Sequence, residues 1–379
     1  MSAQPLGLYL HLPFCRTKCS YCHFAIAPGG PSAERQRRYV QALLAEIEAA
    51  PAGAADTLYL GGGTPSLLAI EHLEALCRRL RSRHGLPDGA ETTLEANPRD
   101  LDAASLEALV ALGVDRLSLG AQSFDADVLR EMGRDHAPDD VFGNVEAARR
   151  AGVRSVSIDL ILGWPGESQK RWGRCLAAVE TLSPDHVSLY LLEVSGRNLL
   201  SHREGRGRLS LPPDDLLADL YHESRARLAA LGLEQYEISN FARPGHRSRH
   251  NLKYWTDQPF LGLGMSAHSS LGGSRFWNLG SFGAYCRAVE SAGGTAARAG
   301  GRALSARDRW TEALFMALRL REGVDLDRFR SRYQVDPLEE CREALSRPFD
   351  ASLVELQGGR LRLTDAGLLM ANEVFQAFV

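Results

Sequence analysis

Three cysteines, Cys15, Cys19 and Cys22, lie within eight residues in a Cys-x3-Cys-x2-Cys arrangement. Thiolates at this spacing can hold metal from a single loop. An iron–sulfur cubane ordinarily takes four cysteine ligands. Three therefore leave one iron of a [4Fe-4S] cluster open. An open iron can chelate the amino and carboxylate groups of S-adenosylmethionine and then pass the electron that cleaves its sulfonium. The spacing admits two other readings. Structural zinc would need a fourth ligand, and His11 or His23 stands close by in sequence. The thiols could also be unrelated. The other cysteines, Cys77, Cys175, Cys286 and Cys341, are isolated and mostly fall in helical patterns. An odd total of seven with one tight cluster argues against a disulfide framework and for a metal site in a reducing compartment.

The elements around these thiols form a series. Short apolar runs bounded by turn residues predict strands at Leu8–Leu12, Thr57–Gly61, Thr92–Ala96, Arg116–Gly120, Ser155–Leu162 and His186–Leu192. Apolar residues at three- and four-residue spacing predict helices between them, near Ala33–Ala50, Ile70–Arg83, Ser105–Leu112, Asp139–Ala151, Gln169–Leu182 and Asp214–Leu231. Serial βα units imply parallel strands with right-handed crossovers. Distinctive residues follow nearly every strand: the cysteines, then Gly61-Gly62-Gly63-Thr64-Pro65, Glu95 with Asn97-Pro98, Gln122 and Asp159. Functional groups gathered at one end of the strands point to a barrel, and six units point to a partial one. The glycine triplet reads either as a nest of backbone N–H groups for an anionic or amino-acid ligand or as a tight strand–helix turn.

The 379 residues exceed one ordinary core, so a large domain with a smaller one is expected. A net charge of −3 gives no sign of a nucleic-acid partner. No run approaches the ~18 apolar residues of a membrane span. Met1–Gly7 lacks the basic-then-apolar layout of a signal peptide, which reads as cytoplasmic. Three segments are expected: a barrel over 1–232, a Gly-, Ser-, His- and aromatic-rich segment over 233–300 ending in a linker at Ala292–Gly301, and a C-terminal unit over 301–379. The last shows three short helical patterns, then Leu353–Leu356 and Arg360–Leu363 around Gly358-Gly359, a hairpin signal. Thr364 can cap a final helix, and the whole unit resembles a winged helix.

A Cys-x3-Cys-x2-Cys after the first strand and a GGGTP after the second resemble the radical S-adenosylmethionine superfamily. The stretches LYLHLPFCRTKCSYCHF, GGGTPSLL, LEANP, LSLGAQSFD and IDLILGWPGES are similar to the oxygen-independent coproporphyrinogen III oxidase family over nearly the whole chain. That resemblance implies a (β/α)6 barrel, a cluster on Cys15, Cys19 and Cys22, and cofactor contacts at Tyr9, Tyr21, Gly62, Gly63, Thr64, Glu95, Gln122, Arg134 and Asp159. Carboxylates and amides suit the cofactor's amino and hydroxyl groups, and an arginine suits its carboxylate.

Two departures separate the chain from the decarboxylating members. Phe24 stands where they carry a further cysteine, and only fourteen residues precede Cys15. Both features resemble the haem-chaperone branch, the HemW group. His23 departs from that group's usual aspartate. His250-Asn251-x2-Tyr254-Trp255 resembles its HNxxYW signature, and the following FLGLGMSAHS fits as well. Histidine is a common axial ligand of haem iron, and aromatic rings pack on porphyrins. His250 is therefore expected to contact haem, against the alternative of a hydrogen-bonded histidine beside core aromatics; His246 and His268 are further candidates. The resemblance implies haem as cargo, a haem-accepting client of the respiratory, membrane-associated kind, and an electron donor such as flavodoxin or ferredoxin. A coproporphyrinogen III oxidase, or a radical enzyme on another substrate, are the alternatives.

Overall fold

The computed structural model describes residues 4–194, 199–204 and 209–378, so part of the N-terminal segment read above, residues 1–3, lies outside the description. Six strands, β1 (Leu6–Leu12), β2 (Ala55–Gly62), β3 (Glu91–Ala96), β4 (Arg116–Gln122), β5 (Ser155–Leu162) and β6 (His186–Leu191), pair in sequence order, all parallel. Helices stand between them, as the periodicity predicts. The sheet does not close. Past β6 run β7 (Glu234–Gln235) and β8 (Asn240–Ala242), with β8 antiparallel to β6. Beyond β1 come β9 (Phe260–Leu263), β10 (His268–Leu271), β11 (Ser274–Asn278) and β12 (Arg298–Ala303).

A period of two sorts the side chains. Leu8, Leu10, Leu58, Leu60, Leu94, Leu117, Ile158 and Leu189 point to the helical layer and are buried in one core. The alternate positions line the inside of the half-barrel. There Tyr9 sits beside Tyr59 and Tyr59 beside Thr93, while Glu95 pairs with Ser118, Ser118 with Ser157, and Asp159 with Ser188. A slip of one residue in any strand would exchange leucines for these polar groups, so the buried face fixes the register.

Segment 233–300 is not a separate segment and does not end in a linker. β9 adds to the barrel sheet parallel to β1, with Leu8 opposite Leu261. The Gly/Ala stretch is a 3-10 turn over Gly294–Ala297 followed by the start of strand β12, antiparallel to β11. Glycine there makes room for aromatics: a Cβ at Gly300 would lie 2.8 Å from the Trp277 ring, and one at Gly301 2.9 Å from Phe276 Cβ. A glycine-rich run reads as a loop, but opposite an aromatic strand glycines let the rings lie across the neighbouring backbone.

A second core follows. Helix Ala306–Ala317 and later short helices pack on a three-stranded sheet of β13 (Val324–Asp325), β14 (Val354–Gln357) and β15 (Arg360–Leu363). β14 and β15 form the hairpin signalled by Gly358-Gly359, and the Thr364 hydroxyl accepts from Gly367 N–H to cap the next helix. No described helix is long and apolar enough to cross a membrane.

Candidate functional site

The loop after β1 and the ends of β2 to β6 surround one cavity of about 720 Å³. Cys15, Cys19 and Cys22 line it together with Tyr21, Gly62, Gly63, Thr64, Glu95, Gln122, Arg134 and Asp159. Residues up to 144 positions apart in sequence thus meet through the parallel alignment of the strands.

The thiols are partly exposed and free. Cys15 Sγ lies 3.4 Å from Thr64 Oγ1, and Arg134 Nη1 lies 3.9 Å from Cys19 Sγ. Among the described residues, no three His, Cys, Asp or Glu groups converge closely enough to hold a single ion. A cubane, whose cysteines each bind a different iron, asks for no such convergence. His11 offers no fourth zinc ligand: its Nε2 lies 2.8 Å from Ala25 O and its Nδ1 3.0 Å from Tyr9 OH. Burial pushes the Cys15 thiol up to about 11 and raises Cys22 as well, so metal capture must release protons.

The carboxylates are prepared differently. Glu95 accepts from Tyr59 OH at 2.8 Å and Gly62 N–H at 2.9 Å, yet burial and the nearby Asp159 lift it to about 7. Asp159 accepts from Ser118 Oγ at 2.9 Å and Ser157 Oγ at 3.2 Å, and burial raises it too. Arg134 Nη2 donates to Gly120 O at 2.7 Å, while its buried Nε has no partner. Gln122 takes a left-handed φ of 65°, a strained conformation for a non-glycine residue, where β4 slips out of register with β5.

The glycine triplet does not act as the N–H nest. Gly62 N–H goes to Glu95, Gly63 N–H to Leu12 O at 2.9 Å and Thr64 N–H to Phe14 O at 2.7 Å. The glycines provide close packing instead. A Cβ at Gly63 would meet Phe14 O at 2.7 Å, and one at Gly62, whose φ is +113°, would meet the His11 ring at 2.5 Å. The triplet thereby seats the cysteine loop.

Tyr9 and His250 do not line the cavity. Tyr9 lies on the inner face of the half-barrel, its ring 6.1 Å from that of Tyr59, and neither tyrosine is among the cavity-lining residues. His250, on helix Arg249–Trp255, has no exposed surface. Its Nδ1 lies 2.9 Å from Thr57 Oγ1 and its Nε2 2.8 Å from Tyr254 OH, so neither nitrogen remains for haem iron. Burial, with Lys253 nearby, holds its pKa down at about 3. Both nitrogens are thus engaged within the protein, the arrangement of a hydrogen-bonded histidine beside aromatics. The sequence signal belonged to the helix: five positions on, Trp255 does line the cavity. His246 and His268 do not, and His268 stacks on Trp277 instead. His23 is the one histidine in the cavity wall among the described residues, exposed beside Phe24, which is itself 59 % exposed.

Two further wall residues carried unequal signals. Tyr190 follows His186 and Ser188 at period two on an inward face, so alternation could have found it. Arg319 comes from beyond the barrel, and no sequence pattern places it here.

A half-barrel of parallel strands with a three-cysteine loop after β1 and a glycine triplet after β2 defines the radical S-adenosylmethionine class, and residues 9–177 match the model of the Radical SAM superfamily. Residues 304–370 match that of the HemN C-terminal domain. The chain is 37% identical to "Heme chaperone HemW" of Mycobacterium tuberculosis, covering 100% of this chain and 96% of that protein. It is 32% identical to "Heme chaperone HemW" of Lactococcus lactis, covering 100% and 98%. The chain belongs to the HemW heme chaperone family. Coproporphyrinogen III oxidase (HemN) from Escherichia coli has the same fold, with a TM-score of 0.85 over 99% of this chain and 90% of that one at 24% identity.

Proposed function

We propose that this protein is a haem chaperone: it binds haem, carries a [4Fe-4S] cluster and S-adenosylmethionine, and passes haem to a client. The observation that carries the reading is the composition of the cavity that holds the three thiols. Three thiols and a set of polar groups line it together with the apolar and aromatic side chains of Ile161, Tyr190, Leu191, Leu192 and Trp255. Its volume lies high in the range of about 300–1,000 Å³ usual for ligand cavities.

In this reading Cys15, Cys19 and Cys22 each hold one iron. The open fourth iron supplies a chelation site and one-electron chemistry for S-adenosylmethionine. Gly62, Gly63, Thr64, Glu95, Gln122, Arg134 and Asp159 hold the cofactor, and Tyr21 packs beside it. The unpaired Nε of Arg134 suits a carboxylate. Tyr9 acts through His11 and Tyr59. His250 holds helix Arg249–Trp255 against β2 and so positions Trp255. The client is a haem-accepting respiratory protein, and the electron donor is of the flavodoxin or ferredoxin kind.

Phe24, in place of a further cysteine, speaks against coproporphyrinogen decarboxylation. Anaerobic cluster reconstitution followed by parallel haem titration and coproporphyrinogen III assays tests the choice. We expect stoichiometric haem binding and no protoporphyrinogen over many turnovers. Sustained protoporphyrinogen formation would return the protein to the oxidases, and absence of specific haem binding would remove the chaperone reading.

A further inference from the structure

Of the buried polar atoms without a hydrogen-bond partner, three belong to residues of the main cavity: Arg134 Nε, Trp255 Nε1 and Arg319 Nε. All three are N–H donors. Arg134 stands beside Cys19 and falls to the cofactor. The other two form a separate pair, with the Arg319 guanidinium 4.4 Å above the Trp255 ring.

The pair is held in place by its backbone. Ile238 N–H donates to Arg319 O at 3.1 Å, Arg321 N–H donates to Tyr236 O at 3.0 Å, and Leu320 bridges to Glu237. The segment after helix Ala306–Ala317 is thus fastened to the segment joining β7 to β8. Glu237 engages Arg319 only loosely: Nη2 to Oε2 is 3.5 Å, while Oε1 accepts from Ser239 N–H at 3.0 Å and also from Asn240 Nδ2. A fixed guanidinium, stacked on an indole, therefore lines the cavity with its buried Nε–H unpartnered and its Nη2 held only at 3.5 Å by Glu237. A guanidinium edge fits a carboxylate in the bidentate manner, and the indole N–H adds a third donor.

We infer that Arg319 and Trp255 form a carboxylate subsite, and that its ligand is a propionate of haem. This rests on the chaperone reading above. The apolar lining by Ile161, Tyr190, Leu191 and Leu192 is what a porphyrin body would meet beside a fixed acid group. The C-terminal domain would then contribute directly to cargo recognition.

The test is a haem titration of the cluster-loaded full chain, comparing haem with its dimethyl ester, in wild type, Arg319→Gln, Arg319→Lys and Trp255→Phe. Arg319→Gln should weaken haem binding by roughly tenfold or more, the loss of about one charge-assisted contact. The ester should bind wild type and Arg319→Gln alike, and about as weakly as haem binds Arg319→Gln. Arg319→Lys should recover part of the affinity, and Trp255→Phe should cost several-fold. Iron content, thermal melting and S-adenosylmethionine affinity should not change. Equal binding of haem and ester by wild type overturns the subsite while leaving the chaperone reading intact. Parallel losses of haem and ester in Arg319→Gln, or loss of S-adenosylmethionine instead, also overturn it. Failure of wild type to bind either porphyrin overturns the chaperone reading itself.

Discussion

The cysteine loop and helix Arg249–Trp255 each carry a short motif, and the fold treats the two motifs in opposite ways. The loop lies beyond the strand ends, and Cys15, Cys19 and Cys22 keep partly exposed thiols at the cavity wall. The helix packs against β2. Its histidine is spent on Thr57 and Tyr254, and only its last residue reaches the cavity. Loops at the ends of barrel strands present side chains, whereas a packed helix buries one face and presents another. A motif residue on such a helix can therefore act by holding a neighbour in place rather than by touching the ligand.

The contrast breaks first at the thiols. Replacing Cys15, Cys19 and Cys22 together by alanine should take the anaerobically reconstituted protein from about four irons per chain to none. Melting of the cluster-free proteins should differ little, since the thiols support no core. Retained iron in the triple variant, or stoichiometric zinc in protein isolated without oxygen, would show that the loop is not the cluster site.

His250→Ala should do the reverse. It leaves the buried Thr57 and Tyr254 hydroxyls without their partner and opens a void beside Tyr59, at a cost of about 2–4 kcal/mol. Iron content should stay at the wild-type level. Any haem still bound should keep its Soret position, because the imidazole is not its ligand. A stable variant whose haem spectrum changes would restore His250 as an iron ligand and overturn the contrast.

How much could be read beforehand follows the same division. The parallel series, the cysteines and Glu95, Gln122 and Asp159 announce themselves because period-two patterning and strand-end position are local facts. Arg134 came from the family resemblance, and it too lines the cavity. Strand β12 was hidden because glycines signal a loop until Trp277 and Phe276 are seen across from them. The state of His250 was hidden because its partner Thr57 lies 193 residues away. Arg319 was hidden because only tertiary packing brings the C-terminal segment to the cavity.

The electrostatics of the helix give a finer test. Burial holds His250 at about 3, against about 6.5 in an unfolded chain. Between those values the unfolded state binds a proton that the folded state refuses. His250 therefore contributes full stability above about pH 6.5 and loses about 1.4 kcal/mol for each unit below it. His11 and His136, both held at about 4, act in the same direction. Glu95, raised to about 7, acts oppositely, favouring the fold as pH falls toward the ordinary carboxylate range. The difference between wild type and His250→Gln isolates one group from this sum. Denaturant melts at pH 6.5, 5.5 and 4.5 should show the wild type losing about one proton's worth more stability per unit than the variant. Parallel curves would mean that the imidazole is not buried neutral.

The smallest effect should come from the cavity side, at Gln122. Its left-handed backbone, φ 65°, is a conformation that glycine adopts freely and other residues adopt at a cost of about 1 kcal/mol. Gln122→Gly removes that strain and also gives the unfolded chain more freedom, at about 0.5–1 kcal/mol in the opposite sense. The two nearly cancel, so the melting temperature should stay within a few degrees of wild type or rise slightly. S-adenosylmethionine affinity should nevertheless fall, because the contact proposed for the Gln122 amide is gone. That pairing of unchanged stability with weakened binding is the reverse of the result expected for His250→Ala, where stability falls and the cluster stays. A large loss of stability in Gln122→Gly with cofactor affinity intact would place Gln122 among the residues that hold the scaffold. The division between a presenting loop face and a supporting helix would then not extend to the end of β4.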